Sequence, residues 1–161
     1  MQSQPPQSGP PRDRHSGDDV PPHVLATSRA ALDLHDPTLV PIPLTADSLL
    51  DDVELPPGAD RRLVFERDDL WVDVSLWATP EGTRLQVLVG SGADPAGTGP
   101  AVVPEFAEVV QPDARTKLPL SGGRAEATGV PPGLTSLTLT TPADPATGTR
   151  RAGMRTAWFT V

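Results

Sequence analysis

The chain has 161 residues, a net charge of −8 at pH 7, 21 prolines and no cysteine. The acidic balance argues against nucleic acid or an anionic membrane as the main partner. The lack of cysteine excludes disulfides, zinc–thiolate sites and thiol catalysis. No apolar run is long enough for a signal peptide or a membrane span, so we expect a cytoplasmic protein with one domain and a tail.

Residues 1–20 form the first segment, which is polar, rich in proline and without aliphatic residues before Val20. A segment of this composition cannot bury enough apolar surface to offset the entropy lost on ordering. The sequence therefore predicts a disordered N-terminal tail.

Residues 21–58 form a lead-in segment with one or two short helices. Proline at its start and the alanines and leucines that follow predict a helix over about 22–34. Prolines make residues 39–43 extended. Thr45 or Asp47 predicts the cap of a second short helix that reaches Val53.

Residues 59–161 carry a period-two pattern, with turn residues about every ten positions. This pattern predicts a mainly β domain, a seven- to eight-stranded antiparallel sandwich of immunoglobulin-like or transthyretin-like type. The predicted strands are 62–66, 70–78, 83–89, 106–110, 115–120, 124–128, 136–140 and 155–161.

The strand at 70–78 has the clearest alternation in the chain. Since successive side chains of a strand point to opposite faces, one face is aliphatic and the other carries two of the three tryptophans. The predicted core face holds Leu70, Val72, Val74, Leu76 and Ala78. The predicted water-facing side holds Trp71, Asp73, Ser75 and Trp77.

The turn at 79–82 admits two registers between this strand and the next. A three-residue loop matches the turn residues, whereas a four-residue loop that pairs Ala78 with Thr83 matches the hydrophobic pattern. Because a one-residue slip would turn a whole face into water, burial favours the second register. It places Arg84 opposite Trp77, Gln86 opposite Ser75, Leu88 opposite Asp73 and Gly90 opposite Trp71.

Catalytic and metal-binding patterns are weak. The three histidines, His15, His23 and His35, precede the β domain, so that domain alone cannot build a Ser-His-Asp site. The acidic residues at 47, 51, 52 and 54 are interpreted as favourable charges at a helix start rather than as a cation site. We predict no catalytic residue, no metal and no cofactor.

Two resemblances accompany this pattern. The stretch from Gly123 to Leu139, with its Val-Pro-Pro-Gly turn, resembles the signature of carboxypeptidase-regulatory-like sandwiches of transthyretin type, with Ala125 where that signature has phenylalanine. Pieces across residues 21–161, including Arg61–Glu66 and the ending Thr156–Val161, resemble a family of uncharacterised actinobacterial proteins. Those proteins are often encoded near an alternative sigma factor, which implies a regulatory or adaptor role.

The functional prediction centres on the tryptophan face. Trp71 and Trp77 are six residues apart, about 20 Å at ~3.3 Å per residue, which suits an extended partner. We predict a non-enzymatic protein-interaction module that uses Trp71, Trp77 and Arg84, with Arg84 stacked on Trp77. The helix at 22–34 is an alternative cover for this face. A carbohydrate- or peptide-binding module is the rival function, and a hydrolase is less favoured.

Overall fold

The computed structural model describes residues 36–92, 104–141, 148 and 153–161. Within these ranges the chain forms strands and turns, and no helix. The strands are β1 (Val40–Ile42), β2 (Leu44–Asp47), β3 (Arg61–Arg67), β4 (Leu70–Thr79), β5 (Gly82–Ser91), β6 (Phe106–Gln111), β7 (Ala114–Pro119), β8 (Arg124–Val130), β9 (Leu134–Thr140), β10 (Met154–Thr156) and β11 (Phe159–Thr160).

The strands form two sheets. The first has the order β1-β10-β9-β6-β7, with β11 also pairing with β9, and the second has the order β2-β3-β4-β5-β8. All pairs are antiparallel except β1 with β10, which is parallel. The prediction of a mainly β chain is confirmed. The purely antiparallel arrangement is wrong, because β10, which pairs antiparallel with β9, pairs parallel with β1 on its other side.

The lead-in segment takes part in both sheets. β1 joins the first sheet and β2 the second, so the chain changes sheet at Pro43. The Pro43 carbonyl accepts a hydrogen bond from the Glu66 amide at 3.2 Å, and Ile42 is fully buried. The β structure therefore starts before residue 59, at the extended stretch that the prolines predict.

One hydrophobic core lies between the sheets. It combines Leu63, Val74 and Leu85 of the second sheet with Leu137 and other residues of the first. The rings of Phe65 and Phe159, one from each sheet, lie 5.8 Å apart. Burial of these alternating faces drives the two sheets together.

The predicted strand positions largely agree with the structure. The predicted strand at 155–161 is two short strands, β10 and β11, because Ala157 and Trp158 interrupt the pairing with β9. The predicted inward face of β4 is buried from Leu70 to Leu76. Ala78 is exposed, since it lies at the hairpin end of the strand beyond these buried positions.

The predicted helix over 45–53 is wrong. Asp47 ends β2, and its carboxylate accepts the Leu49 amide at 3.1 Å. Its carbonyl accepts the amides of Leu50 and Asp51, which closes a single turn. A short acidic side chain stabilises a turn as readily as a helix start, so the cap residue was identified but not the element it caps. The predicted tail (1–20) and the predicted helix (22–34) lie outside the described residues.

Candidate functional site

The tryptophan face is the outer surface of the second sheet, at its centre. β4 pairs with β3 on one side and with β5 on the other. The β4–β5 register is the one that burial favoured, with Trp77 opposite Arg84 and Trp71 opposite Gly90. Pairing continues to Thr79 and Gly82, which leaves Pro80 and Glu81 at the tip of the hairpin.

Trp71 lies over the backbone of Gly90. A Cβ added to Gly90 would be 2.8 Å from the indole Nε1 and closer still to Cε2 and Cζ2. No other residue type leaves room for this close approach. Trp71 remains 38% exposed. One side of the indole is therefore fixed on the sheet while part of the ring faces solvent.

Trp77 is more enclosed than Trp71. Its indole Nε1 donates to the Pro57 carbonyl at 3.3 Å, and the Arg84 guanidinium lies 5.0 Å from the ring centroid. Arg84 in turn forms a two-bond ion pair with Glu126, at 2.7 and 3.0 Å. Its hydrogen bonds to Glu126 raise the pKa of Arg84 above its usual value. The predicted stacking is confirmed, and it uses surface that a partner would otherwise contact.

The centre of the face is not open to water as the alternation predicted. Asp73 and Ser75 are buried, at 7% and 4% exposure. Arg62 donates to the Asp73 carboxylate through Nε at 2.8 Å and through Nη2 at 2.5 Å. This pairing raises the pKa of Arg62, and it supplies the partner that a buried carboxylate requires.

Residues 54–58, here called the covering segment, lie across this part of the sheet. Arg62 Nη1 donates to the Glu54 carbonyl at 2.8 Å, and the Trp77 indole Nε1 donates to the Pro57 carbonyl at 3.3 Å. A pocket of about 260 Å³ remains between the covering segment and the sheet, with Gln86 and Leu88 in its wall. The face is thus partly covered in cis, by a segment for which no such role was predicted.

The large exposed apolar side chains of the described residues belong to one part of the chain. They lie in β2, between β2 and β3, or in β4, and none belongs to the first sheet. Leu50, at 84%, and Leu49, at 65%, are the most exposed. The set is Leu44, Leu49, Leu50, Leu55 and Trp71. The leucines at 49 and 50 were missed as surface residues because a helix was predicted there.

The acidic residues beside these leucines do not form a cation site. Both Asp47 oxygens are engaged by Arg61, with Nε at 3.0 Å and Nη2 at 2.5 Å. The Asp51 carboxylate accepts the Asp47 amide at 2.8 Å. Across the described ranges, no group of three or more potential ligand side chains could hold a metal ion. The three histidines lie outside those ranges.

Comparison with protein-family models, with curated proteins and with solved structures gave no match. In the described part of the chain there is also no helix of the length and apolar character needed to cross a membrane. The candidate site therefore rests on its own geometry, namely an exposed Trp71, an enclosed Trp77 and the exposed leucines of β2 and of the residues between β2 and β3.

Proposed function

We propose that the chain is a non-enzymatic protein-interaction module of adaptor or regulatory type, acting in the cytoplasm, which binds another protein through the outer side of its second sheet. The observation that supports this proposal is the distribution of the large exposed apolar side chains, which in the described residues belong to the second sheet or to the residues between β2 and β3. Contiguous exposed apolar surface is typical of binding sites.

The charges around this surface define the partner's chemistry. Asp51, Asp52 and Glu54 flank the exposed leucines, and Glu66 lies opposite Trp71. A complementary partner has an apolar centre surrounded by lysine or arginine. Association should therefore slow as salt is added, because rim charges act mainly on the association rate.

The proposed anchors are Trp71 and Leu50, which replace the predicted Trp71 and Trp77 pair. Trp71 presents a large ring already fixed on Gly90, so little conformational entropy is lost when a partner covers it. Trp77 and Arg84 act as supports, since they hold one another, Pro57 and Glu126.

The test compares partner recovery by variants from an extract of the native cell, quantified by mass spectrometry. Trp71→Ser and Leu50→Ser should each deplete the partner about 30-fold, the equivalent of a ~2 kcal/mol anchor. Arg115→Ser is the matched control, because it changes an exposed residue of β7 in the other sheet. The proposal fails if every protein recovered is retained equally by all three variants.

The sandwich type and the regulatory context are also proposals. Gly123 and Gly133 have φ of 75° and 146°, which agrees with the turns that the carboxypeptidase-regulatory-like, transthyretin-like signature requires. The sigma-factor link rests on sequence resemblance. A two-hybrid assay with an alternative sigma factor as bait tests it, and Trp71→Ser should abolish the signal.

A carbohydrate- or peptide-binding module is the second candidate, favoured by the partly exposed Trp71 indole that is held against Gly90. Arg84 occupies the Trp77 ring, so a platform of two tryptophans is not available and a sugar would stack on Trp71 alone. A glycan array separates the candidates, because a protein adaptor should give no signal on it.

A further inference from the structure

A second cavity lies away from the tryptophan face, at the edge where β1 runs beside β10. Its volume is about 420 Å³, within the range of roughly 300–1,000 Å³ that is usual for small-molecule sites. Leu39, Pro41, Pro43 and Trp158 form most of its apolar wall. This edge cavity includes Trp158, which lies between β10 and β11.

The wall of the edge cavity is preformed by backbone pairing. The Val40 amide donates to the Gly153 carbonyl and the Ala157 amide to the Ile42 carbonyl, each at 2.9 Å. Leu39 packs so closely on Gly153 that an added Cβ would lie 2.7 Å from the leucine Cδ2. A site built on paired strands needs little ordering when a ligand enters.

The outward edge of β1 has no group to offer an added peptide strand. Pro41 lacks an N–H, its carbonyl accepts Arg67 Nη1 at 2.7 Å, and the Pro43 carbonyl accepts the Glu66 amide. Peptides that bind by strand addition need free backbone donors and acceptors. This edge therefore favours a small molecule over an extended peptide.

Two arginines line the edge cavity although the protein is acidic. Arg67 and Arg155 lie in its wall with one carboxylate, Asp36, and the Arg67 Nε also lies 3.6 Å from the Asp68 carboxylate. Arg155 lies 5.8 Å from the Trp158 ring centroid and donates to Thr138 Oγ1 at 3.3 Å.

The surroundings of Arg155 place its cation in a partly desolvated position. Burial, and then the nearby Arg115, lower the pKa of Arg155, while Asp36 and Glu108 act in the opposite direction. Two guanidinium groups at the rim of an apolar pocket suit an anionic head group, since arginine binds carboxylates through paired, charge-assisted hydrogen bonds.

We propose that the edge cavity binds a small amphipathic carboxylate. The apolar body lies against Leu39, Pro43 and Trp158, and the carboxylate lies between Arg67 and Arg155. This site is independent of the proposed protein-binding surface, because it uses the β1–β10 edge and not the outer face of β4.

The test is an NMR titration of the ¹⁵N-labelled full chain with 4-phenylbutyrate and, as its uncharged match, 4-phenylbutan-1-ol. The acid should produce saturable shifts at the amides of residues 39–42 and 153–158 and at the Trp158 indole N–H. The alcohol should bind at least about ten-fold more weakly, because it lacks charge-assisted bonds to the arginines.

Variants locate the head group. Arg67→Gln and Arg155→Gln should each weaken acid binding about ten-fold and leave alcohol binding unchanged. Arg124→Gln is the control, since it makes the same charge change on β8. Three results would overturn the proposal. They are equal affinity for the acid and the alcohol, shifts centred on Trp71 and Gly90, and no saturation at an acid concentration of about 5 mM, which corresponds to a dissociation constant weaker than millimolar.

Discussion

Replacing Gly90 with alanine tests whether the Trp71 indole is held against the backbone of Gly90. Gly90 does not have the left-handed backbone conformation that disfavours other residues, so alanine is compatible with its dihedral angles. The new methyl group would nevertheless overlap the Trp71 indole. The ring must move away, and that displacement is the perturbation to be measured.

The expected loss follows from the contact area. Trp71 is 38% exposed, so about 150 Å² is buried of a side chain that can bury up to ~250 Å². Burial of this area contributes ~4 kcal/mol to the free energy of unfolding. If the displaced ring loses about half of this buried area, the protein loses ~2 kcal/mol of stability. Replacing a glycine within a strand by alanine adds about 0.5–1 kcal/mol of stability, because alanine loses less backbone entropy on folding. Gly90→Ala should therefore lower the free energy of unfolding by about 1–1.5 kcal/mol.

Urea unfolding followed by circular dichroism measures this difference without depending on tryptophan emission. In a Trp71→Ser background, Gly90→Ala should become stabilising by about 0.5–1 kcal/mol, since the clash is gone. Gly92→Ala is the matched control, because its methyl group would meet the Asp69 carbonyl at an ordinary 3.5 Å. Equal effects at the two glycines, or no coupling to Trp71→Ser, would refute the placement of the indole.

Three further predictions concern the fold. Val74→Asp buries a charge at a fully buried position and should unfold the protein, with a loss of several kcal/mol of stability. Its control, Thr116→Asp at an exposed β7 position, should leave the thermal melt unchanged. Hydrogen bonds from Arg61 lower the pKa of Asp47 below 3.8; Asp47→Asn should thus be less stable than wild type at neutral pH, and the gap should shrink as pH falls through the folded-state pKa. A chain shortened to residues 59–161 loses β1, β2 and the buried Ile42, so it should melt at a lower temperature than the full chain. Equal melting points would contradict the assignment of residues 40–47 to the two sheets.

The β4–β5 hairpin could be predicted from the sequence because two independent signals agree there. The aliphatic alternation in β4 and that in β5 admit one register that buries both, and that register is the observed one. The turn residues alone favoured a different loop. Burial of a whole face outweighs the preference of one turn, so the hydrophobic pattern was the better guide.

The covering segment could not be predicted, because nothing periodic marks it. Pro56, Pro57 and Gly58 indicate only a turn or an extended stretch, and their contacts are with residues distant in sequence. The burial of Asp73 follows from that cover and from Arg62, which lies on the neighbouring strand β3 and donates to the Asp73 carboxylate. Such placement depends on long-range packing, which a local pattern does not contain.

The different fates of the two tryptophans follow from their cross-strand partners. Both occupy equivalent outward positions on β4, and the alternation of that strand predicts the same exposure for both. Opposite Trp77 stands Arg84, which covers the ring and is itself held by Glu126, whereas opposite Trp71 stands Gly90, which lets the ring lie on bare backbone. A side chain that is covered by its own sheet has little left to offer a partner, while one that is fixed and half open is suited to binding. Of the two tryptophans, Trp71 is therefore the better anchor for the proposed binding surface.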